Sequence, residues 1–288
     1  MSLLDRVKRK YYFFKHKRRK IDIVKNNNQN FIKLKEKIEN INKNIPLGTS
    51  SWENNRKEIR RAILEDNIMD FINWNVIQKT MFFEAPRTEY EDVLKNEQLI
   101  KAIGESQIGN PKSYFLDSTT SGNLIHHAYS ISQMLKRCNL DSFDKIIEFG
   151  GGYGSMCRLF RNMKYSGKYV IFDLPEFLAL QEYYIGSINT KYLNNTIFTG
   201  DMHSLKDNES NSLFIATWSF SEMPLELRED LLKYLNFSFC IIAFQSEFDG
   251  IDNIKYFTEF KNKYPEIEFK INPIDHLNGH YYLIGTKK

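Results

Sequence analysis

The sequence predicts an α/β fold: a mostly parallel sheet with helices on both faces, preceded by a helical region. Three observations predict it. From Phe143 onward, short apolar runs alternate with helical stretches, the pattern of parallel strands joined by crossover helices. Before that point, apolar residues recur at helical spacing. Between the first apolar run and the next helical stretch stands Gly150-Gly151-Gly152-Tyr153-Gly154. Glycines there let the backbone take positive φ and come close to a ligand, and the helix that follows offers free N–H groups.

The chain has 288 residues, 42% hydrophobic and 26% charged, enough for a substantial core and unlike a disordered tail. It divides into a basic tail over 1–25, a helical region over 26–140 and an α/β region over 141–288. Cys138, Cys157 and Cys240 share no CxxC spacing, which excludes a disulfide framework or zinc knuckle and suits a reducing, cytoplasmic setting. No apolar run approaches the ~20 residues of a membrane-spanning helix. The first residues also lack the cleavage site of a secretory signal.

Taken in order, the first 25 residues carry ten Lys or Arg against Asp5 and Asp22, an excess of eight; with a total of +4, the rest carries −4. A helix over 3–15 would align Leu3, Leu4, Val7, Tyr11 and Phe14 in one stripe with cations on the other faces. Such a segment suits an anionic membrane surface, at about 1 kcal/mol per cation. The expected location is therefore cytoplasmic, with peripheral attachment at the inner membrane surface. Nucleic acid is not an expected partner, because no base-reading module follows. The Asn-rich stretch 26–30 reads as a polar linker; Phe31, Leu34, Ile38 and Ile41 then repeat at helical spacing until Pro46-Leu47-Gly48. Residues 52–83 predict two helices, 89–104 another, and Ile125 to Cys138 a further one. The predicted strands are Ile146–Phe149, Tyr169–Phe172, Thr196–Phe198, Leu213–Ala216, Phe239–Phe244, Glu268–Ile271 and Tyr281–Ile284.

The chemistry concentrates at three strand ends. The first carries Glu148-Phe149-Gly150-Gly151-Gly152-Tyr153-Gly154. The dinucleotide pattern G-x-G-x-x-G fails, since Ser155 stands at its last position, whereas an acid followed by G-x-G-x-G matches in full. The second ends in Phe172-Asp173-Leu174-Pro175, where a carboxylate can accept hydrogen bonds from both ribose hydroxyls of a nucleoside. The third ends in Gly200-Asp201-Met202.

Together these motifs resemble the class I S-adenosylmethionine-dependent methyltransferases, especially the small-molecule O-methyltransferases, over about half of the chain. The resemblance implies a Rossmann-like, seven-stranded sheet with an antiparallel last strand, S-adenosylmethionine as cofactor and S-adenosylhomocysteine as product. It assigns Gly150, Gly152 and Gly154, with Phe149 before them and Gly151 between, to the methionine and ribose portion, and Glu148 to supporting the loop or the amino group. Asp173 would take the ribose diol, Leu174 the adenine face, and Asp201 and Met202 the adenine amino group and ring. The helical region would be the substrate-recognising cap. Trp52-Glu53-x-x-Arg56 with the Ser121-Gly122-Asn123 and His126-His127 segment resembles a bacterial group of sugar O-methyltransferases.

Several members of the resembling family carry a His-Asp base after strand four; here Trp218-Ser219-Phe220-Ser221-Glu222 has no histidine. A hydroxyl acceptor still calls for a base. The candidates are His127, then His126, and Glu222; His203, His276 and His280 are weaker ones. With no paired acids after strands two or four, no metal is expected. The expectation is a sugar O-methyltransferase acting in polysaccharide biosynthesis, on a nucleotide-sugar or a surface glycan. Its rivals are methylation of a non-sugar metabolite and a non-catalytic scaffold. Methylation of nucleic acid is disfavoured, as strand four lacks an Asn/Asp-Pro-Pro-Tyr-like motif.

Overall fold

The computed structural model describes residues 20–41, 50–206 and 211–288. The predicted amphipathic stripe of residues 3–15 lies outside them. Seven strands form one sheet in the order β3-β2-β1-β4-β5-β9-β8. They are β1 (Lys145–Phe149), β2 (Lys168–Phe172), β3 (Thr196–Thr199), β4 (Ser212–Thr217), β5 (Phe239–Gln245), β8 (Ile267–Pro273) and β9 (His280–Lys287). The two-residue strands β6 (Glu247–Phe248) and β7 (Ile251–Asp252) make a separate small hairpin. β1 through β5 pair in parallel, and β9 enters antiparallel between β5 and β8. This is the Rossmann-like sheet that the resemblance implies, and all seven predicted strands are in it.

Alternation along the strands builds two cores. Ile146, Tyr169, Ile171, Leu213, Ile215 and Ile241 point into the cluster shared with the helical region. Ile147, Phe149, Val170, Phe172, Phe214 and Ile242 point into the opposite one. All five residues of β1 are buried, as a strand covered on both faces requires.

Helices differ from expectation in three places. The first, α1 (Lys20–Asn40), runs straight through the predicted Asn-rich linker. Buried Leu34 and Ile38 fix its packing, and tertiary contact overrides the weak propensity of asparagine. Between 52 and 83 there are α2 (Ser50–Glu65), a 3-10 segment over Ile68–Asn73 and the short α3 (Asn75–Thr80). Residues 89–104 hold two helices, α4 (Arg87–Val93) and α5 (Glu97–Ala102), because Asn96 caps α5 by accepting from the Gln98 and Leu99 N–H groups. The next helix, α6 (Gly122–Leu135), is capped by Ser121. The sheet is then covered by α7 (Ser155–Asn162), α8 (Pro175–Ile188), α9 (Leu225–Leu232) and α10 (Asn253–Glu259).

The helical region is tied to the sheet layer by ions as well as by apolar contact. Arg56 Nε of α2 donates to Glu176 Oε2 of α8 at 2.9 Å, with both side chains almost fully buried, and Arg60 pairs with the same carboxylate. Arg158 of α7 pairs with Glu105 and donates to the Tyr184 hydroxyl at 3.0 Å. Trp52 packs edge-on against Phe177 of α8. The Trp52-Glu53-x-x-Arg56 pattern therefore sits where α2 docks on α8.

Strand order positions the site. From β1 the chain runs outward to β2 and β3, then returns to β4 and β5 on the other side. This reversal opens a crevice beyond the carboxyl ends of β1 and β4.

Candidate active site

The loop after β1 forms one wall of this crevice. Gly150, Gly152 and Gly154 have φ of 71°, 56° and 96°, a region in which a side chain is strained. At Gly150 space is also exhausted: a Cβ there would lie 2.2 Å from the Ser219 Cβ. At Gly152 a Cβ would meet the Met81 side chain at ordinary contact distance, 3.7 Å at the nearest. The loop feeds straight into the first turn of α7, whose leading N–H groups have no partner within the helix.

Glu148 supports this loop from beneath. It is 3% exposed and accepts from the Tyr169 hydroxyl at 2.8 Å. Burial pushes its carboxyl up to about 8; the Tyr169 hydrogen bond opposes that rise and the Asp173 charge adds to it. Phe149 stacks on Phe172 across the strand ends, 5.5 Å between ring centres.

Asp173 follows β2. Its Oδ1 accepts from the Leu174 N–H at 2.7 Å and its Oδ2 from Gln181 Nε2 at 2.7 Å. Gln181 Nε2 also reaches the Gly152 carbonyl at 3.0 Å, so one amide links this acid to the glycine loop. Gln181 Oε1 is buried without a partner. Burial raises the Asp173 carboxyl to about 7, against the hydrogen bonds from Leu174, Gln181 and the Gly151 N–H. Leu174 starts α8 and is half-buried against the first core. After β3, Asp201 is exposed and caps the turn Met202–Leu205 by accepting from the His203 N–H at 3.0 Å, while Met202 rests on the second core.

The loop after β4 forms the facing wall. Trp218 adopts φ of 65°, in the left-handed region, and the next residue, Ser219, hydrogen-bonds the Phe149 carbonyl beside Gly150. The indole Nε1 donates to His280 Nδ1 at 2.8 Å. Its ring stacks on His126, 5.1 Å between centres and 27° between planes. A histidine, absent from the β4 loop in sequence, thus reaches it twice in space, from α6 and from β9.

His126 is 2% exposed, and its Nδ1 lies 2.9 Å from both oxygens of Glu89 on α4, a carboxylate with no exposure. An ionised carboxylate only accepts, so Nδ1 carries the hydrogen and Nε2 keeps its lone pair. Burial holds His126 far below the usual imidazole value, with the His280 charge adding to the effect. Burial also raises Glu89 to about 7, which the hydrogen bond and charge of His276 oppose. Burial disfavours charge on either partner alone, so His126 takes up a proton readily only while Glu89 is ionised. His127, the next residue, points elsewhere: its Nδ1 hydrogen-bonds the hydroxyl of Ser155, the first residue of α7. Burial lowers it too, and the His126 charge lowers it further. Glu222 closes the turn Ser219–Glu222 with its carboxyl raised by burial and bonded to Gln245. Among the described residues, no group of three His, Cys, Asp or Glu is placed to hold a metal ion.

The glycine loop, Asp173 and the β4 loop therefore meet at one end of the sheet, with His126 against the β4 loop and His127 against the start of α7. Glu89 is the member that sequence reasoning missed. In Arg87-Thr88-Glu89-Tyr90-Glu91 nothing distinguishes it from Glu91, whose side chain is 55% exposed. Its partner stands 37 residues away.

No protein-family model and no curated protein matches this chain. Solved structures resemble it distantly. One is a protein from Galdieria sulphuraria assigned as a sarcosine dimethylglycine methyltransferase, at 17% identity and a TM-score of 0.37, over 49% of this chain and 54% of that one. Another is a SAM-dependent methyltransferase from Aquifex aeolicus, at 16% identity and a TM-score of 0.38, over 53% of this chain and 87% of that one. A third is an O-methyltransferase family protein from Burkholderia thailandensis, at 10% identity and a TM-score of 0.36, over 57% and 60%. The chain thus spans about half the length of the Galdieria protein. Likenesses of this size say nothing about substrate.

Proposed function

We propose that this chain transfers a methyl group from S-adenosylmethionine to a hydroxyl of a sugar, carried by a nucleotide-sugar or a growing surface glycan. The observation that carries the reading is the buried His126–Glu89 pair stacked on Trp218, across the crevice from the glycine loop. The residues present fit the cofactor. Gly150, Gly152 and Gly154 hold the loop at positive φ, a carboxylate follows β2 beside the loop, and Gln181 Oε1 is a buried acceptor still short of a donor. Gly150, Gly152 and Gly154 would cradle the methionine and ribose end, Asp173 the ribose diol, and Leu174, Asp201 and Met202 the adenine. When bound, this cofactor supplies an electrophilic methyl group on a sulfonium.

The chain's own residues do the rest. Methyl transfer to oxygen needs alignment first, and the two loops hold the crevice walls together through Ser219 and the Phe149 carbonyl. A sugar hydroxyl is a poor nucleophile until its proton leaves, and we assign that proton to His126 Nε2, the ring nitrogen left over when Glu89 holds Nδ1. Glu89 fixes the tautomer and, when ionised, stabilises the imidazolium that forms. The flat apolar face of Trp218, with His280 hydrogen-bonded at its edge, suits a ring that carries both C–H faces and hydroxyls. His127 positions the start of α7 through Ser155 and is not the base.

The test is methyl transfer from a radiolabelled donor to a panel of nucleotide-sugars, glycans and phenols, with His126→Gln in parallel. We expect labelled sugar product, a kcat lowered about 10²–10⁴-fold in the variant, and cofactor affinity unchanged. Label found only in the phenols would replace the sugar with an aromatic metabolite.

Charge suggests where the reaction occurs. The excess of eight cations in residues 1–25 would hold the chain at an anionic membrane where surface glycans are assembled. Among the described residues no helix is long and apolar enough to cross a membrane. Removing residues 1–25 should then reduce sedimentation with phosphatidylglycerol vesicles at least tenfold at low salt, and unchanged sedimentation would refute it.

A further inference from the structure

The His126–Glu89 pair has a third member. His276, in the turn between β8 and β9, places Nε2 2.6 Å from Glu89 Oε1, the same oxygen that lies 2.9 Å from His126 Nδ1. One buried carboxylate therefore bridges two imidazoles that stand 150 positions apart in the chain. The His126 side chain is 3% exposed and the His276 side chain 17%, and the His276 ring packs against Tyr129.

Among the described residues, no Lys or Arg is paired with Glu89. Tyr114, Tyr129 and Tyr282 all feel the Glu89 carboxylate and are held above the usual phenol value by burial first, so they stay neutral. Arg87 and Glu84 act on Tyr114, Lys112 acts on Glu84, and Asp92 and Asp275 act on Tyr129. The His280 charge acts on His126 and the His126 charge on His127. Among the described residues, the basic groups bonded to Glu89 are the two imidazoles. A buried carboxylate needs one positive partner, and a second imidazolium would be a surplus buried charge.

We infer that Glu89 balances one imidazolium at a time, resting on His276 and transferring to His126 when His126 takes the acceptor's proton. His276 is then a positioning residue that sets the basicity of His126. This rests on His126 as the base. In the step, the acceptor O–H bond breaks and its proton binds His126 Nε2. Positive charge now faces Glu89 from the inside. His276, whose Nε2 stays on Glu89, gives its Nδ1 proton to water, so the charge of the cluster is unchanged. After product departs, His126 loses its Nε2 proton and His276 regains one from solvent.

The experiment follows proton uptake by nuclear magnetic resonance in the full chain, with histidine rings labelled with ¹⁵N and the Glu89 carboxyl with ¹³C. His276→Gln keeps a hydrogen-bond donor for Glu89 but cannot carry charge, and His276→Asn is read beside it in case one variant folds poorly. Losing the exchangeable cation should raise the pH at which the remaining pair takes up its proton by about one unit, tenfold in proton affinity. The His126 ring signals should move with that same midpoint. Glu89→Gln should leave His126 neutral throughout. A midpoint unmoved in both His276 variants, or one that moves at Glu89 while His126 stays silent, overturns the proposal. Failure of the functional reading looks different: no transfer by the wild type with this coupling intact.

Discussion

At the scale of single residues, the site is set by burial acting on ionisable groups. Glu148 is pushed to about 8 and Asp173 to about 7, so the folded chain keeps protons that an unfolded chain has lost above roughly pH 4. Stability from these acids therefore declines as pH rises from that value to about 8. The lowered pKa values of His126 and His127 act the other way, but only below about 6.5, where an unfolded histidine takes up its proton. Above 6.5 the acids act alone. The expected outcome is a melting temperature that falls between pH 6.5 and 8, by roughly 3 °C per pH unit for each such group. Glu148→Gln should flatten that slope, and a melting temperature that rises over the same interval would show that the buried acids are ionised. The residues that behave this way were not equally legible. Glu148 and Asp173 were visible because a glycine motif and a strand end mark their places. Glu89 was not, because its burial depends on α6 and on the turn before β9, neither of which leaves a mark near residue 89.

At the scale of elements, the strand-to-helix loop after β1 separates two demands that glycine meets. Gly150 needs both positive φ and empty space, because the β4 loop presses on it through Ser219. Gly152 needs positive φ, but a Cβ there would meet only the Met81 side chain at ordinary contact distance. Gly150→Ala should destabilise the protein by about 2–3 kcal/mol or prevent folding, combining backbone strain with a steric clash. Gly152→Ala should cost only about 1 kcal/mol in thermal unfolding yet weaken cofactor binding tenfold or more, because its methyl projects into the cradle. Equal effects of the two substitutions on stability and on binding would refute the division. The strands were legible because their apolar runs are short and bounded. The helices were less so: Asn96 breaks the stretch 89–104 by capping a new helix, and Leu34 and Ile38 carry α1 through a run of asparagines by packing rather than propensity. The β4 loop has no histidine of its own, and its Trp218 meets the candidate His126 of α6 and His280 of β9.

At the scale of the whole molecule, the helical region and the sheet are built as one body around the crevice. They share one apolar cluster, and the Arg56–Glu176 and Arg158–Glu105 pairs pin α2 and the segment after α5 to the helices that carry the site. The pattern Trp52-Glu53-x-x-Arg56 is thereby accounted for by docking rather than by substrate contact. The same arrangement brings α4 and α6 over the carboxyl ends of β1 and β4, which is what joins Glu89 to His126 beside Trp218. On the function proposed above, this crevice holds S-adenosylmethionine through the glycine loop and Asp173. The most direct test is calorimetric titration of the folded full chain with S-adenosylhomocysteine, wild type beside Asp173→Ala. The account predicts binding near micromolar, roughly −8 kcal/mol, weakened at least tenfold in the variant. No heat and no thermal stabilisation of folded wild-type protein would contradict it.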